Sequence, residues 1–311
     1  MKPYKLNLSF LENIFLLIVL QCLSSISHSQ QIISLYNDTI PNATSYKLEE
    51  DIIGTASDPI AYQHTSSPTI TAYFPEKDKR NGTAVIIFPG GAYSFLAFKE
   101  EGTKITQPFV DNGICVFVVK YRLPDGLIMK NRSIGPLQDA QQAIKLVRIR
   151  AEQWNLDTGR IGIMGFSAGG HLAATAATHF NHNYIPNPEK VSLRPSFLIL
   201  VYPVISMADS LTHKGSRDRL LSLNPSKEQI ALFSNELQVS DSTPPTWLIH
   251  ASDDRLVPVE NSIIFYQALK RHHIPVEMHL HAKGDHGFVL QRPVIEWTRP
   301  IFSWMKEMGW L

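Results

Sequence analysis

The hydrophobic positions of the chain form two alternating patterns, short uninterrupted apolar runs and longer stretches with a helical period. Apolar runs of strand length occupy residues 84–88, 114–119, 161–164 and 197–202, and further strands are predicted at 246–250 and 276–281. Continuous runs of this kind are typical of parallel strands covered on both faces. Residues 136–154 instead carry apolar side chains at intervals of three or four, the stripe of an amphipathic helix. The alternation predicts one α/β domain, a doubly wound, mostly parallel sheet with helices on both faces.

The flanking segments extend this pattern. We expect an edge strand at 32–36, and a strand at 68–74 joined to 84–88 by a charged hairpin loop at 75–82. A helix from 259 to about 272 and a closing helix that ends near Met308 are also predicted.

Residues 206–240 interrupt the regular alternation with polar segments and a helical-looking stretch at 225–233. An insertion between two core strands on this side of such a fold commonly carries substrate contacts. We therefore interpret residues 206–240 as an insertion on the substrate side. Within it, His213 and Arg217 either face a pocket or lie on the loop surface.

One motif stands at the centre of the chain, Gly165-Phe166-Ser167-Ala168-Gly169. It follows an apolar run and opens onto small residues, so strand, sharp turn and helix are all indicated, the context of a nucleophile elbow. A serine at the tip of such a turn is held in strained backbone geometry, with its hydroxyl exposed above the sheet. The motif predicts that Ser167 is a nucleophile and that the amide of Ala168 points at an oxyanion. The alternative is a glycine-rich turn with a surface serine.

A nucleophilic serine needs a base and an acid. His286 lies in a glycine-flanked loop after the last predicted strand, whereas His279 and His281 are expected on the strand itself. For the acid we favour Asp254, which stands in the spacing Asp-x-x-Val-Pro, over its neighbour Asp253. Neighbouring side chains in such a turn point apart, so only one of the two reaches the histidine. The resulting order of serine, aspartate and histidine is that of the α/β-hydrolase triad.

Composition and residue spacing give no sign of a nucleic-acid partner, a metal site or a disulfide. The 311 residues are 44% hydrophobic, enough for a sizeable core, and 29 Lys and Arg against 28 Asp and Glu leave a net charge of +1. A charge balance this even gives no basis for expecting a nucleic-acid partner. The cysteines and histidines show no zinc-site spacing, so no metal or cofactor is expected. Only Cys115 remains beyond the N-terminal segment, which leaves no intramolecular disulfide.

The N-terminus has the layout of a secretory signal peptide. Lys2 and Lys5 precede an apolar run at 14–20, and a polar segment of small residues follows at 24–29. We expect residues 1–29 to be removed and 30–311 to form the hydrolase domain, secreted or periplasmic. The apolar run is too short to span a bilayer comfortably, so no stable membrane insertion is expected after removal. The alternative is an uncleaved N-terminal anchor.

The motifs together resemble the bacterial α/β-hydrolases of the esterase/lipase superfamily, specifically the acetylxylan-esterase-like (acetyl esterase) branch. The matching segments are residues 89–93, 99–102, 120–124, 136–140, 165–171, 202–204, 212–216, 254–262 and 284–287. Relatives carry His-Gly-Gly-Gly where this chain has Pro89-Gly90-Gly91-Ala92. The resemblance therefore implies that the amides of Gly91 and Ala92 join Ala168 in an oxyanion hole.

The resemblance also implies a function. We expect a serine esterase that acts through an acyl-enzyme on short-chain acyl esters, chiefly acetyl esters, of small molecules, oligosaccharides or plant polysaccharides. Polar and charged residues over 209–219 favour short acyl groups. The alternatives are a generalist short-chain carboxylesterase, a feruloyl-type esterase and a non-catalytic binding protein on a hydrolase frame.

Overall fold

The structure, a computed structural model, describes residues 30–311; the predicted signal peptide at 1–29 lies outside the described residues. These residues form eleven strands. The strands are β1 (Gln30–Ser34), β2 (Asp51–Gly54), β3 (Pro59–Gln63), β4 (Thr69–Tyr73), β5 (Ala84–Phe88), β6 (Phe95–Leu96), β7 (Cys115–Lys120), β8 (Ile161–Phe166), β9 (Leu198–Val201), β10 (Thr246–Ala251) and β11 (Val276–His281).

Eight of these strands form the central sheet, in the order β1-β4-β7-β5-β8-β9-β10-β11. The strands from β7 to β11 in this order pair in parallel, whereas β4 runs antiparallel to both of its neighbours. The remaining strands, β2, β3 and β6, form a small antiparallel sheet. The edge strand predicted at 32–36 is present at Gln30–Ser34, two residues earlier, and the mostly parallel central sheet is confirmed.

The predicted hairpin between β4 and β5 is wrong. The strand β7 lies between them, antiparallel to β4 and parallel to β5. All six residues of β7 are buried, while both ends of β4 are partly exposed. The fully buried strand therefore takes the interior position, and the segment at 75–82 connects two strands that are not neighbours in the sheet.

Eight helices accompany the strands in the described part of the chain. They are α1 (Thr106–Asp111), α2 (Gly135–Ile149), α3 (Ala151–Trp154), α4 (Ser167–Thr178), α5 (Lys214–Leu221), α6 (Lys227–Phe233), α7 (Glu260–Arg271) and α8 (Val294–Glu307). Side chains of α2, α4 and α7 pack in one buried cluster and those of α1 and α8 in another. Along β5, Ile86 belongs to the first cluster and its neighbours Val85 and Ile87 to the second. The strand alternation thus supplies two cores, one on each face of a doubly wound sheet.

A buried ion pair ties the sheet to α2. The guanidinium of Arg122, just after β7, donates to both carboxylate oxygens of Asp139 on α2, and these two side chains are 1% and 0% exposed. The backbone amide of Arg122 donates to the same carboxylate, at 2.8 Å. The pair therefore joins the end of β7 to α2, which is a structural role.

Two further features concern the described residues. Cys115 is a buried free cysteine. Within residues 30–311, no helix combines the length and the apolar character needed to cross a membrane.

Candidate active site

Ser167 stands at a sharp turn between β8 and α4. Its φ is +50°, a left-handed conformation that non-glycine residues rarely adopt. The flanking glycines are required by close packing. A Cβ at Gly165 would lie 2.2 Å from the carbonyl oxygen of Gly169, and a Cβ at Gly169 would lie 2.2 Å from that of Phe88. The turn therefore has the geometry of a nucleophile elbow.

His286 bridges the serine and an aspartate. Its Nε2 lies 2.9 Å from the hydroxyl oxygen of Ser167, and its Nδ1 lies 2.7 Å from Oδ2 of Asp254. A carboxylate only accepts, so Nδ1 carries the proton that it donates to Asp254, and Nε2 is left to accept from the Ser167 hydroxyl. The structure thus brings together the three residues singled out from the sequence. Such a chain of hydrogen bonds can activate a serine hydroxyl as a nucleophile.

The environment of Asp254 keeps its carboxyl group ionised. Burial alone would raise its pKa, but hydrogen bonds from His250 and His286 outweigh that effect and hold the pKa well below its usual range. Its other oxygen, Oδ1, accepts from the amides of Leu256 and Val257, at 2.9 and 2.8 Å. These contacts fix the carboxylate in the orientation that His286 requires.

The neighbouring Asp253 has a different partner. Its Oδ1 accepts a hydrogen bond from the amide of Asp285, at 2.9 Å. Asp253 therefore ties together the two loops that carry Asp254 and His286. The adjacent side chains point to different partners, as expected for this turn.

A buried histidine that sequence reasoning missed supports the aspartate. His250, at the end of β10, is fully buried, and its Nε2 lies 3.1 Å from Oδ2 of Asp254 and 3.0 Å from the carbonyl oxygen of Val257. Both neighbours only accept, so Nε2 donates and Nδ1 accepts from the hydroxyl of Ser262, at 2.8 Å. The sequence signal for this role was a histidine near the end of an otherwise apolar strand.

The loop after β5 carries an unusual backbone. Gly91, Ala92 and Tyr93 have φ values of +123°, +55° and +58°. Within the described residues, the amides of Gly91 and Ala92 donate no hydrogen bond to the protein. The amide of Ala168 lies in the first turn of α4, where backbone amides have no partner within a helix. These are the three amides that the sequence resemblance predicts in an oxyanion hole.

The insertion at 206–240 packs against α4, the elbow helix. Carbonyl oxygens at the end of α6, those of Phe233 and Leu232, accept from Nε2 of His171 and His179, at 2.8 and 3.1 Å. His213, just before α5, lies 2.8 Å through Nδ1 from the hydroxyl of Ser216. Burial, followed by the proximity of His286, lowers the pKa of His213.

Arg217, the other candidate contact in the insertion, is engaged within it. Its guanidinium pairs with Asp209 and donates to the carbonyl oxygen of Met207, at 3.1 Å. On the last strand, His279 lies 2.6 Å from Glu277, and the His281 ring packs against Phe288. Neither strand histidine therefore competes with His286 for the serine. No cluster of three or more metal-ligating side chains occurs within residues 30–311.

The sheet order, the elbow and the loops at the carboxyl ends of β5, β8, β10 and β11 define the α/β-hydrolase class. Comparison with known proteins gives the narrower grouping. Residues 70–269, more than half of the chain, match the family model BD-FAE, and the chain belongs to this family.

Two curated relatives are similar over most of the chain. An acetylxylan esterase of Xylanibacter ruminicola is 39% identical over 223 residues, which cover 70% of this chain and 43% of that protein. Endo-1,4-beta-xylanase B of Butyrivibrio fibrisolvens is 35% identical over 225 residues, 72% of this chain and 35% of that protein. The chain therefore spans less than half the length of either relative.

A solved structure covers nearly the whole fold. The acetyl ester-xyloside bifunctional hydrolase from Caldicellulosiruptor lactoaceticus is 35% identical with a TM-score of 0.76, and the match covers 93% of this chain and 100% of that one. The fold also resembles a truncated carbohydrate esterase from gut microbiota, at 21% identity, with a TM-score of 0.65 over 75% of this chain and 89% of that one. The resemblance inferred from the sequence motifs is thus confirmed.

Proposed function

We propose that this protein is a serine esterase that removes short acyl groups, chiefly acetyl, from plant polysaccharides or oligosaccharides. The observation that carries the proposal is the hydrogen-bonded chain from Ser167 through His286 to Asp254. The choice of acetyl esters of plant polysaccharides is supported by the acetylxylan esterase relative and by the acetyl ester hydrolase of similar fold.

In the proposed acylation step, Nε2 of His286 takes the hydroxyl proton of Ser167 while Oγ attacks the ester carbonyl carbon. The tetrahedral oxyanion accepts hydrogen bonds from the amides of Gly91, Ala92 and Ala168. Such donors are typically worth about 3–4 kcal/mol each in the transition state. The carbon–oxygen bond to the sugar then breaks, His286 returns the proton to the departing sugar oxygen, and an acetyl-serine remains.

Deacylation repeats the cycle with water. His286 removes a proton from water as its oxygen attacks the acetyl-serine carbonyl, and then protonates Ser167 as the acid leaves. Throughout, the ionised carboxylate of Asp254 fixes the imidazole tautomer and stabilises the imidazolium. The proposed cycle needs no metal or organic cofactor.

The proposal extends to substrate access and location. The insertion at 206–240 would line the substrate side, with His213 near the triad, and its polar rim suits a hydroxyl-rich leaving group. We also propose export of the mature domain, directed by residues 1–29. Cell fractionation of a bacterial host that expresses the full chain, followed by N-terminal sequencing of the processed protein, tests this. Recovery of unprocessed chain in the membrane fraction would favour an uncleaved anchor.

The central test compares substrates side by side. Purified residues 30–311 should hydrolyse acetylated xylan and 4-nitrophenyl acetate, and Ser167→Ala should abolish turnover while it keeps the fold. Turnover of 4-nitrophenyl acetate without release of acetate from xylan would favour a generalist carboxylesterase. A Ser167→Ala variant that keeps a tenth of wild-type activity would overturn the nucleophile assignment. Binding of acetylated xylan with no turnover would indicate a non-catalytic binding protein.

A further inference from the structure

A buried carboxylate outside the proposed triad contacts two parts of the site at once. Glu101 is only 6% exposed. Its Oε2 accepts from the amide of Gly90, at 2.7 Å, and its Oε1 accepts from the hydroxyl of Tyr202, at 2.9 Å. Glu101 makes no ion pair with any residue of the described chain. Since a buried carboxylate without a counter-ion is costly, these contacts call for an explanation.

The first contact, with the amide of Gly90, holds the start of the proposed oxyanion loop, residues 90–93. Gly90 lies between Glu101 and the elbow with no space for a side chain. A Cβ there would lie 2.6 Å from Oε2 of Glu101 and 3.0 Å from Cβ of Ser167. The next three residues of the loop all have positive φ. A fixed amide at Gly90 therefore sets where this strained segment begins relative to Ser167.

The second contact reaches the histidine. Tyr202 follows β9 with a φ of +37°, and its ring packs against that of His286 with 4.7 Å between centroids. Its hydroxyl is committed to Glu101, which keeps the ring in this position. Glu101 thus braces, through one carboxylate, both the loop beside Ser167 and the ring that packs on His286.

The charge of Glu101 has a further effect. Burial raises its pKa, while hydrogen bonds from Tyr202 and Gly90 and the proximity of His286 oppose that rise. Two donors facing the two oxygens favour the ionised form. The titratable groups facing His286 are Asp254, Tyr202, His213 and Glu101. Glu101 itself also interacts electrostatically with Glu100 and Tyr121.

We propose that Glu101 is a positioning residue for the esterase reaction, which holds Gly90 and Tyr202 in place and stabilises the protonated form of His286. This inference rests on the proposed function. It goes beyond the triad because it assigns a second carboxylate to the charge that develops on His286 in acyl transfer.

The test compares Glu101→Gln with Glu100→Gln, its exposed neighbour that pairs with Lys104. On 4-nitrophenyl acetate, Glu101→Gln should lower kcat by about ten- to a hundred-fold through misplacement of the reacting groups, with KM within about twofold. The acidic limb of its pH profile should move to lower pH, since the imidazolium loses a nearby negative charge. Glu100→Gln should match the wild type in all three measurements.

A second variant separates position from charge. Tyr202→Phe removes the hydroxyl but leaves the ring and the Glu101 carboxylate, so kcat should fall less and the acidic limb should stay where it is in the wild type. If Glu101→Gln does not fold, an unchanged kcat in Tyr202→Phe overturns the inference and a lowered one supports it.

NMR titration of His286 provides a readout without turnover. In Glu101→Gln the titration midpoint should move to lower pH by about half a unit or more, even on a protein that proves inactive on esters. Inactivity of the wild type would therefore contradict the proposed function alone. An unchanged midpoint and an unchanged kcat in folded Glu101→Gln would overturn the role of Glu101.

Discussion

His171, on the elbow helix, is hydrogen-bonded through Nδ1 to the hydroxyl of Tyr93, at 2.9 Å. Its Nε2 donates to the carbonyl oxygen of Phe233, so in the neutral ring Nδ1 accepts from Tyr93. Burial lowers the pKa of His171 to about 4. One fully buried ring therefore joins the elbow helix, the proposed oxyanion loop and the insertion, and its burial favours the uncharged form.

This neutral ring predicts a loss of stability in mild acid. The unfolded chain takes up a proton at His171 below about pH 6.5, whereas the folded chain resists until about pH 4. The contribution is therefore absent above pH 6.5 and grows unfavourable as the pH falls towards 4, by about 3 kcal/mol at most. His171→Gln should show a flatter dependence of unfolding free energy on pH, measured by urea denaturation between pH 7.5 and 4.5.

The control for this prediction is the more exposed His272, which pairs with Asp241 at the surface. His272→Gln should keep the wild-type slope. If His171→Gln also keeps that slope, buried His171 is not the group whose protonation unfolds the protein.

The two neighbouring aspartates should differ sharply in their effect on activity. Asp254→Asn turns an amide towards His286 and His250, both of which donate to this position, so the imidazole is held in the wrong tautomer. We expect a loss in kcat on the order of 10⁴-fold. Asp253→Asn keeps an oxygen for the amide of Asp285 and should stay within a few-fold of the wild type. The assay is 4-nitrophenyl acetate hydrolysis, and a reversed order would contradict the assignment of Asp254.

The buried pair of Arg122 and Asp139 should matter for stability rather than catalysis. Asp139→Asn leaves a buried guanidinium without its counter-charge, which typically costs about 3–5 kcal/mol. Urea denaturation of this variant at pH 7.5 measures the change. Glu100→Gln, at an exposed pair, should shift the unfolding free energy by less than about 1 kcal/mol. Equal effects of the two substitutions would contradict the argument from burial.

The residues identified from sequence share a local origin. Ser167 was found because strand, turn and helix follow one another within a few residues, and Asp254 because of a short spacing at a strand end. Each such pattern is formed by residues that are close together in the chain, so it can be recognised from the sequence alone.

Two of the features missed depend on contacts between distant segments. The carboxylate of Glu101 meets the hydroxyl of Tyr202 across 101 residues of chain. The wrong hairpin has the same origin, because chain order does not reveal that β7 enters the sheet between β4 and β5. His250 is different, because Asp254 lies only four residues away, and the sequence does not show that the turn between them directs the two side chains towards each other. The helix α5 was missed because its polar sequence lacks a clear apolar stripe.

The last prediction concerns the length of the acyl group. The part of the insertion around α5 is polar where a long-chain lipase would carry an apolar lid: Arg217 pairs with Asp209, and Lys214 pairs with Asp218 along α5. A long acyl chain would find little apolar surface there and would forgo about 0.8 kcal/mol for each CH₂ group left unburied. We expect kcat/KM to fall steeply from acetate to butyrate to octanoate esters of 4-nitrophenol, with no activation at an oil–water interface. A kcat/KM that rises with chain length would overturn the acetyl specificity and leave the proposed triad intact, because the three hydrogen-bonded residues do not depend on what fills the acyl pocket.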